Sequence, residues 1–115
     1  MSVKDAFLGE LYDVLRLEVL SSEIGGEPLM REYLVRRAAA FDRLADADWR
    51  SEYDADALLD ALHYARALVE YDTLLGTTLG DIPVSAPCWA EDPRGYARQE
   101  HAMWVLKHDV PEAGH

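Results

Sequence analysis

The chain has 115 residues, half of them hydrophobic, and carries 22 acidic side chains against 11 basic ones for a net charge of −11. That length gives one domain over residues 1–115, with no room for a second core, and the hydrophobic fraction excludes a disordered chain. So large a negative charge excludes nucleic acid as a partner, because affinity for a phosphate backbone rests on Lys and Arg; a basic protein, or a second copy of the chain, fits instead.

The first helix is expected over Val3 to Ser22, with Ser2 as N-cap and Asp5 favourably placed against the helix dipole. Its apolar face reads Phe7, Leu8, Leu11, Tyr12, Val14, Leu15 and Val19. Gly25-Gly26 stops it. A second helix starts at Pro28, buries Met30, Tyr33, Leu34, Phe41 and Leu44, and ends near Ala45 to Ala47. A polar stretch with Trp49 and Tyr53 follows, and Asp54 or Asp56 caps a third helix through Leu58, Ala61, Leu62, Ala65, Leu68, Val69 and Leu75 to Gly76. Residues 77–92 read as a loop with Pro83 and Pro87, in which Ile82 and Val84 form a short extended piece. The last helix takes Asp92 as N-cap and Pro93 as its first residue, and runs to about Lys107. The expected fold is all-α, a four-helix bundle or irregular four-helix array with one long loop before the last helix.

The only cysteine, Cys88, excludes an intrachain disulfide and fits a reducing compartment. Lys4, Asp5, Glu10 and Asp13 break the first apolar stretch, so no signal peptide is expected. No apolar run approaches the ~18 residues of a membrane span. The expected location is the cytoplasm. Nine Arg against two Lys, with no Asn, is the coding bias of a GC-rich bacterium.

Three charged residues fall on apolar helix faces: Glu18 on the first helix, Arg37 on the second and Asp72 on the third. Unpaired buried charges are too costly, and the planar guanidinium suits two carboxylates. A buried cluster in which Arg37 pairs with Asp72, Glu18 or both is therefore expected, as a structural network that sets helix register. A second anomaly is the stripe Leu17, Leu20 and Ile24, opposite the first helix's main face. Either the long loop and last helix cover it, or a partner chain does.

The search for chemistry returns little. Asp60 and His63, Glu100 and His101, and the His101/His108 pair do not form the paired Glu-x-x-His sets of di-iron bundles or the zinc-protease motif. No nucleophile elbow or phosphate loop is present. Trp89, Tyr96, His101 and Trp104 are candidates for a pocket under the loop. No catalytic residue, metal ligand or cofactor is assigned. The expected function is a protein-interaction or regulatory module without catalysis, binding another protein or itself as a homodimer. Its surface would be the acidic segment Asp46–Asp60 with the aromatic anchors Trp49 and Tyr53, together with the Leu17, Leu20, Ile24 stripe. The alternative is a helical bundle, enzymatic or not, holding a small ligand or metal at Glu18, Arg37, Asp72 and His101.

Overall fold

The structure is a computed structural model that describes residues 3–23, 25–46 and 56–109. The chain is all-α: α1 (Val3–Ser22), a 3-10 turn (Glu27–Leu29), α2 (Met30–Ala45), α3 (Asp56–Leu75), the one-turn α4 (Cys88–Glu91) and α5 (Pro93–Asp109). The punctuation follows from local chemistry. Gly25 and Gly76 sit at positive φ, +85° and +65°, where a side chain would be strained. At the end of α3 the Gly76 amide returns to the Asp72 carbonyl at 2.7 Å. Asp92 caps α5 as expected, its Oδ1 accepting the Gly95 amide at 3.0 Å.

The array is irregular because one helix is its hub. Among the described elements α2 packs against α1, α3 and α5, whereas α1 touches only α2 and the 3-10 turn. A helix with three neighbours gains from small side chains where they converge on it. Accordingly Val35, Ala38, Ala39 and Ala40 are all buried, and small side chains let three helices approach one axis. Tyr33 and Leu34 of α2, Phe7, Val14 and Leu17 from α1, Ala65 and Leu68 from α3, and Tyr96 and Ala97 from α5 complete the core.

Between α3 and α5 the chain forms a strap rather than the extended piece expected at Ile82 and Val84. Val84 packs on the core, and its amide donates to Thr78 Oγ1 at 2.9 Å. No strand pairing occurs there, because the strap's polar groups are satisfied by side chains.

Two expectations about α1 are reversed. Leu17, expected opposite the main face and under the loop, the last helix or a partner chain, is buried at 8% exposure on the face that packs on α2. Leu8, Tyr12, Leu15 and Val19, expected in the core, are 50%, 68%, 54% and 59% exposed. The helix is apolar on two opposite faces, and the one that packs is the face whose edges carry acids able to meet α2: Arg36 donates to Glu10 at 3.0 Å and to Asp13 at 3.2 Å.

Candidate functional site

The α2–α3–α5 junction holds a buried polar cluster. Asp72 lies on the face of α3 that runs Ala57, Ala61, Ala65 and Leu68, and like Glu100 of α5 it is fully buried. One base serves both acids, and it is Arg31 rather than Arg37. Its Nε and Nη2 donate to the two oxygens of Asp72 at 2.9 and 2.8 Å, and Nη2 donates to Glu100 Oε1 at 2.6 Å. The remaining lone pairs are also used. Asp72 accepts from Thr77 Oγ1 and from the Tyr96 hydroxyl. Glu100 accepts from the Leu79 and Gly80 amides and from Gln99 Nε2, at 2.7 to 2.9 Å. Burial lowers the pKa of Arg31, but its bonds to Asp72 and Glu100 outweigh that and raise it on balance. Burial and then the Asp72 contact raise that of Tyr96, which stays a neutral donor.

Each of the four carboxylate oxygens therefore has two donors, which leaves none open to a substrate or a travelling proton. The cluster works as a lock: it ties the start of α2 to the end of α3 and pins the strap to α5 through Leu79 and Gly80.

The residues expected to join Asp72 lie elsewhere. Arg37 stacks over the rings of Tyr33 and Tyr64, 4.8 and 4.1 Å from their centroids, and donates to the Tyr33 hydroxyl at 2.8 Å. That hydroxyl donates in turn to Glu18 Oε2 at 2.8 Å. Glu18 and Arg37 thus meet only through Tyr33, with Tyr64 of α3 against the guanidinium, and Glu18 is exposed. Cation–π contact with two rings, rather than a carboxylate, is what keeps Arg37 on an apolar face.

The expected aromatic pocket also separates. Trp89 meets the buried Tyr96 edge-on at 5.5 Å, while Trp104 stacks between His101 and His108 at 5.8 and 4.5 Å, with Arg36 over its ring. His101 lines a shallow groove of about 290 Å³ with Ala39, Asp42, Arg43 and Arg98. Burial, then the nearby Arg43 charge, lower its pKa. Asp42 fills the base positions around that groove: it accepts from Arg94 at 2.6 Å and from Arg98 at 2.9 and 3.0 Å. Glu18, Arg37, Asp72 and His101 do not converge. Among the described residues no group of three or more His, Cys, Asp or Glu is placed to hold a metal ion, and no helix is long and apolar enough to cross a membrane.

What stands open is the outer face of α1. Leu8, Tyr12, Leu15 and Val19 are spaced four, three and four residues apart, which stacks them in one stripe along about 17 Å of helix. No described element packs on that side. Of the residues expected to form the interface, Leu17 faces the core and Leu20 is at the margin with 37% exposure. Ile24, Trp49 and Tyr53 lie outside the described residues, as does most of the acidic segment Asp46–Asp60. A second groove, apolar and of about 420 Å³, lies at Leu79, Met103, Leu106 and Lys107.

Comparison with protein-family models, with curated proteins and with solved structures returns no match. The functional reading rests on the geometry alone.

Arg31 and Glu100 carried signals in the sequence that a one-face reading of each helix passes over. Arg31, Val35, Ala38 and Asp42 form a second stripe on α2, spaced four, three and four, with opposite charges at its two ends. Glu100 lies at the centre of the α5 face that carries Pro93, Tyr96, Ala97 and Trp104.

Proposed function

We propose that this chain is a helical protein-interaction module that acts without catalysis, and that the outer face of α1 is its working surface. One observation carries the reading: α1 is apolar on two opposite sides and, among the described elements, has a packed neighbour on only one of them. An apolar face of an amphipathic helix is ordinarily turned to a core, and contiguous exposed apolar surface marks interaction sites. The polar lock supports the division of labour. The buried carboxylates are spent on fixing α2, α3, the strap and α5 into a firm support, and α1 rides on its surface.

The test is a pair of variants, Tyr12→Glu and Leu15→Glu, in the full chain. Both sites are more than half exposed, so each variant should keep its monomer stability within about 0.5 kcal/mol. Each should also lose whatever saturable protein contact the wild-type chain makes, whether to itself or to another chain. A stability loss above about 2 kcal/mol would mean that the face is core, covered within the chain itself. Unimpaired binding would place the working surface elsewhere. Either result refutes the reading.

A further inference from the structure

We infer that the occupant of the α1 stripe is α1 of a second copy, paired antiparallel about a two-fold axis near residues 13 and 14. This rests on the reading above that the outer face of α1 is a binding surface.

The register is what singles out a second copy. In an antiparallel two-fold pairing, residue i lies level with the residue whose number brings the sum to a constant. Leu8 and Val19 share a sum with Tyr12 and Leu15. One axis therefore sets Leu8 of each copy against Val19 of the other, and Tyr12 against Leu15. All four apolar residues are matched at once, and large faces small at each layer. Self-complementarity of one patch is the requirement of a two-fold interface. The spacing of four, three and four averages about 3.7 residues, close to the 3.6 of a straight helix, so the stripe holds one side of α1 over its whole length and needs no supercoil to stay in register. The stripe ends where the pairing would end, at the polar residues Asp5 and Ser22 one step beyond it.

The area agrees. At the observed exposures the four side chains leave on the order of 400 Å² per copy. A pair would bury roughly 800 Å² from the stripe alone, and the flanking Leu11, half-buried, and Arg16, exposed, bring it towards the ~1,200 Å² of a small stable interface. Gly9, where an added Cβ would meet nothing within 4 Å, leaves the flank beside Tyr12 low enough for close approach.

Charge predicts how the pair should respond to salt. Each copy carries −11, so association works against long-range repulsion and relies on apolar contact. Added salt screens that repulsion and should tighten the pair. Binding to a basic protein would weaken under the same change.

The experiment is sedimentation equilibrium on the full chain from micromolar to near-millimolar concentration, at low and moderate salt. A monomer–dimer equilibrium is expected that tightens with salt and is weakened about a hundredfold or more by Leu15→Glu. Orientation is read from cross-linking in a Cys88→Ser background. When the Leu8→Cys and Val19→Cys proteins are mixed under oxidation, the mixed disulfide should form and neither protein should cross-link alone. Leu8–Leu8 or Val19–Val19 cross-links would overturn the antiparallel pairing. A dimer indifferent to Leu15→Glu would overturn the site. A chain monomeric at every concentration, with Leu15→Glu as stable as wild type, would overturn the second copy as occupant while leaving the α1 surface open to a different protein. If Leu15→Glu instead unfolds the dilute monomer, the earlier reading of the surface fails and this inference fails with it.

Discussion

Replacing Arg31 with Met keeps the aliphatic stem on α2 and removes the guanidinium that joins Asp72 to Glu100. Three charge-assisted hydrogen bonds disappear, at 2.9, 2.8 and 2.6 Å. At the low end for bonds to charged groups, about 1.5 kcal/mol each, they come to about 4.5 kcal/mol. Breaking a buried ion pair from one side gives a similar figure, about 3–5 kcal/mol. Arg31 retains 17% side-chain exposure, so water can reach part of the gap and the lower portion of that range applies, about 3–4 kcal/mol. In a chain of this length that is a fall in Tm of roughly 12–16 °C. The assay is urea unfolding followed by circular dichroism and by tryptophan fluorescence, with coincident transitions as the check on two-state behaviour. Arg37→Met is the internal control. Arg37 loses two ring contacts and one hydrogen bond to a neutral hydroxyl, so about 1–2 kcal/mol is expected. Adding Glu100→Gln to Arg31→Met should cost less than the sum of the two single changes, because one charge no longer stands against another in the same pocket. An Arg31→Met loss below about 1 kcal/mol, or a larger loss for Arg37→Met, would refute the lock.

The turn between α1 and α2 gives a second prediction. A Cβ at Gly26 would overlap the Leu20 carbonyl oxygen and lie 3.0 Å from the Leu20 and Ser21 carbonyl carbons. Gly26→Ala should therefore cost about 1–3 kcal/mol by forcing backbone apart. Gly9→Ala, set in open space on α1, should stabilise the chain by up to about 1 kcal/mol in the same melts. Equal effects at the two sites would count against the described turn. The third prediction concerns pH. Burial and Arg43 hold the folded His101 below its ordinary value of 6.5, so in the window beneath that value the unfolded chain binds more protons than the folded one. This contribution to stability is full above about pH 6.5 and declines as the pH falls through the lowered value. His101→Gln should flatten that part of the stability–pH curve, as measured by urea midpoints between pH 7.5 and 5. An unchanged slope would show that His101 is solvated.

The helices were legible because each is a local fact. Val3–Ser22, the glycine stops, the Asp92 cap and the buried Asp72 follow from residues within a turn or two of one another, where propensity, capping and spacing act. The partners of the buried charges were not local. Arg31 and Arg37 are both bases on apolar faces of α2, six residues apart, and only the way α3 and α5 pack around α2 decides which meets Asp72 and Glu100 and which meets Tyr64 of α3 beside Tyr33. Glu100 escaped because three of its donors come from the strap and Gln99, and the strap's path depends on the helices it crosses. The aromatic set failed similarly: Trp89, Tyr96, His101 and Trp104 are near in sequence, but the turn of α5 carries them to different neighbours.

By itself the sequence determined that the chain is acidic, helical and interrupted at known points, since composition and short-range pattern suffice for that. It also contained two apolar faces on α1 and two on α2, with nothing in either helix to say which face meets what. Tertiary structure decided that α2, lined with alanines, takes the centre. It set α1 at the edge with Leu17 inward and Leu8, Tyr12, Leu15 and Val19 outward. Periodicity tells how many faces a helix can bury, whereas the number of neighbours that fit around it tells which of them it does.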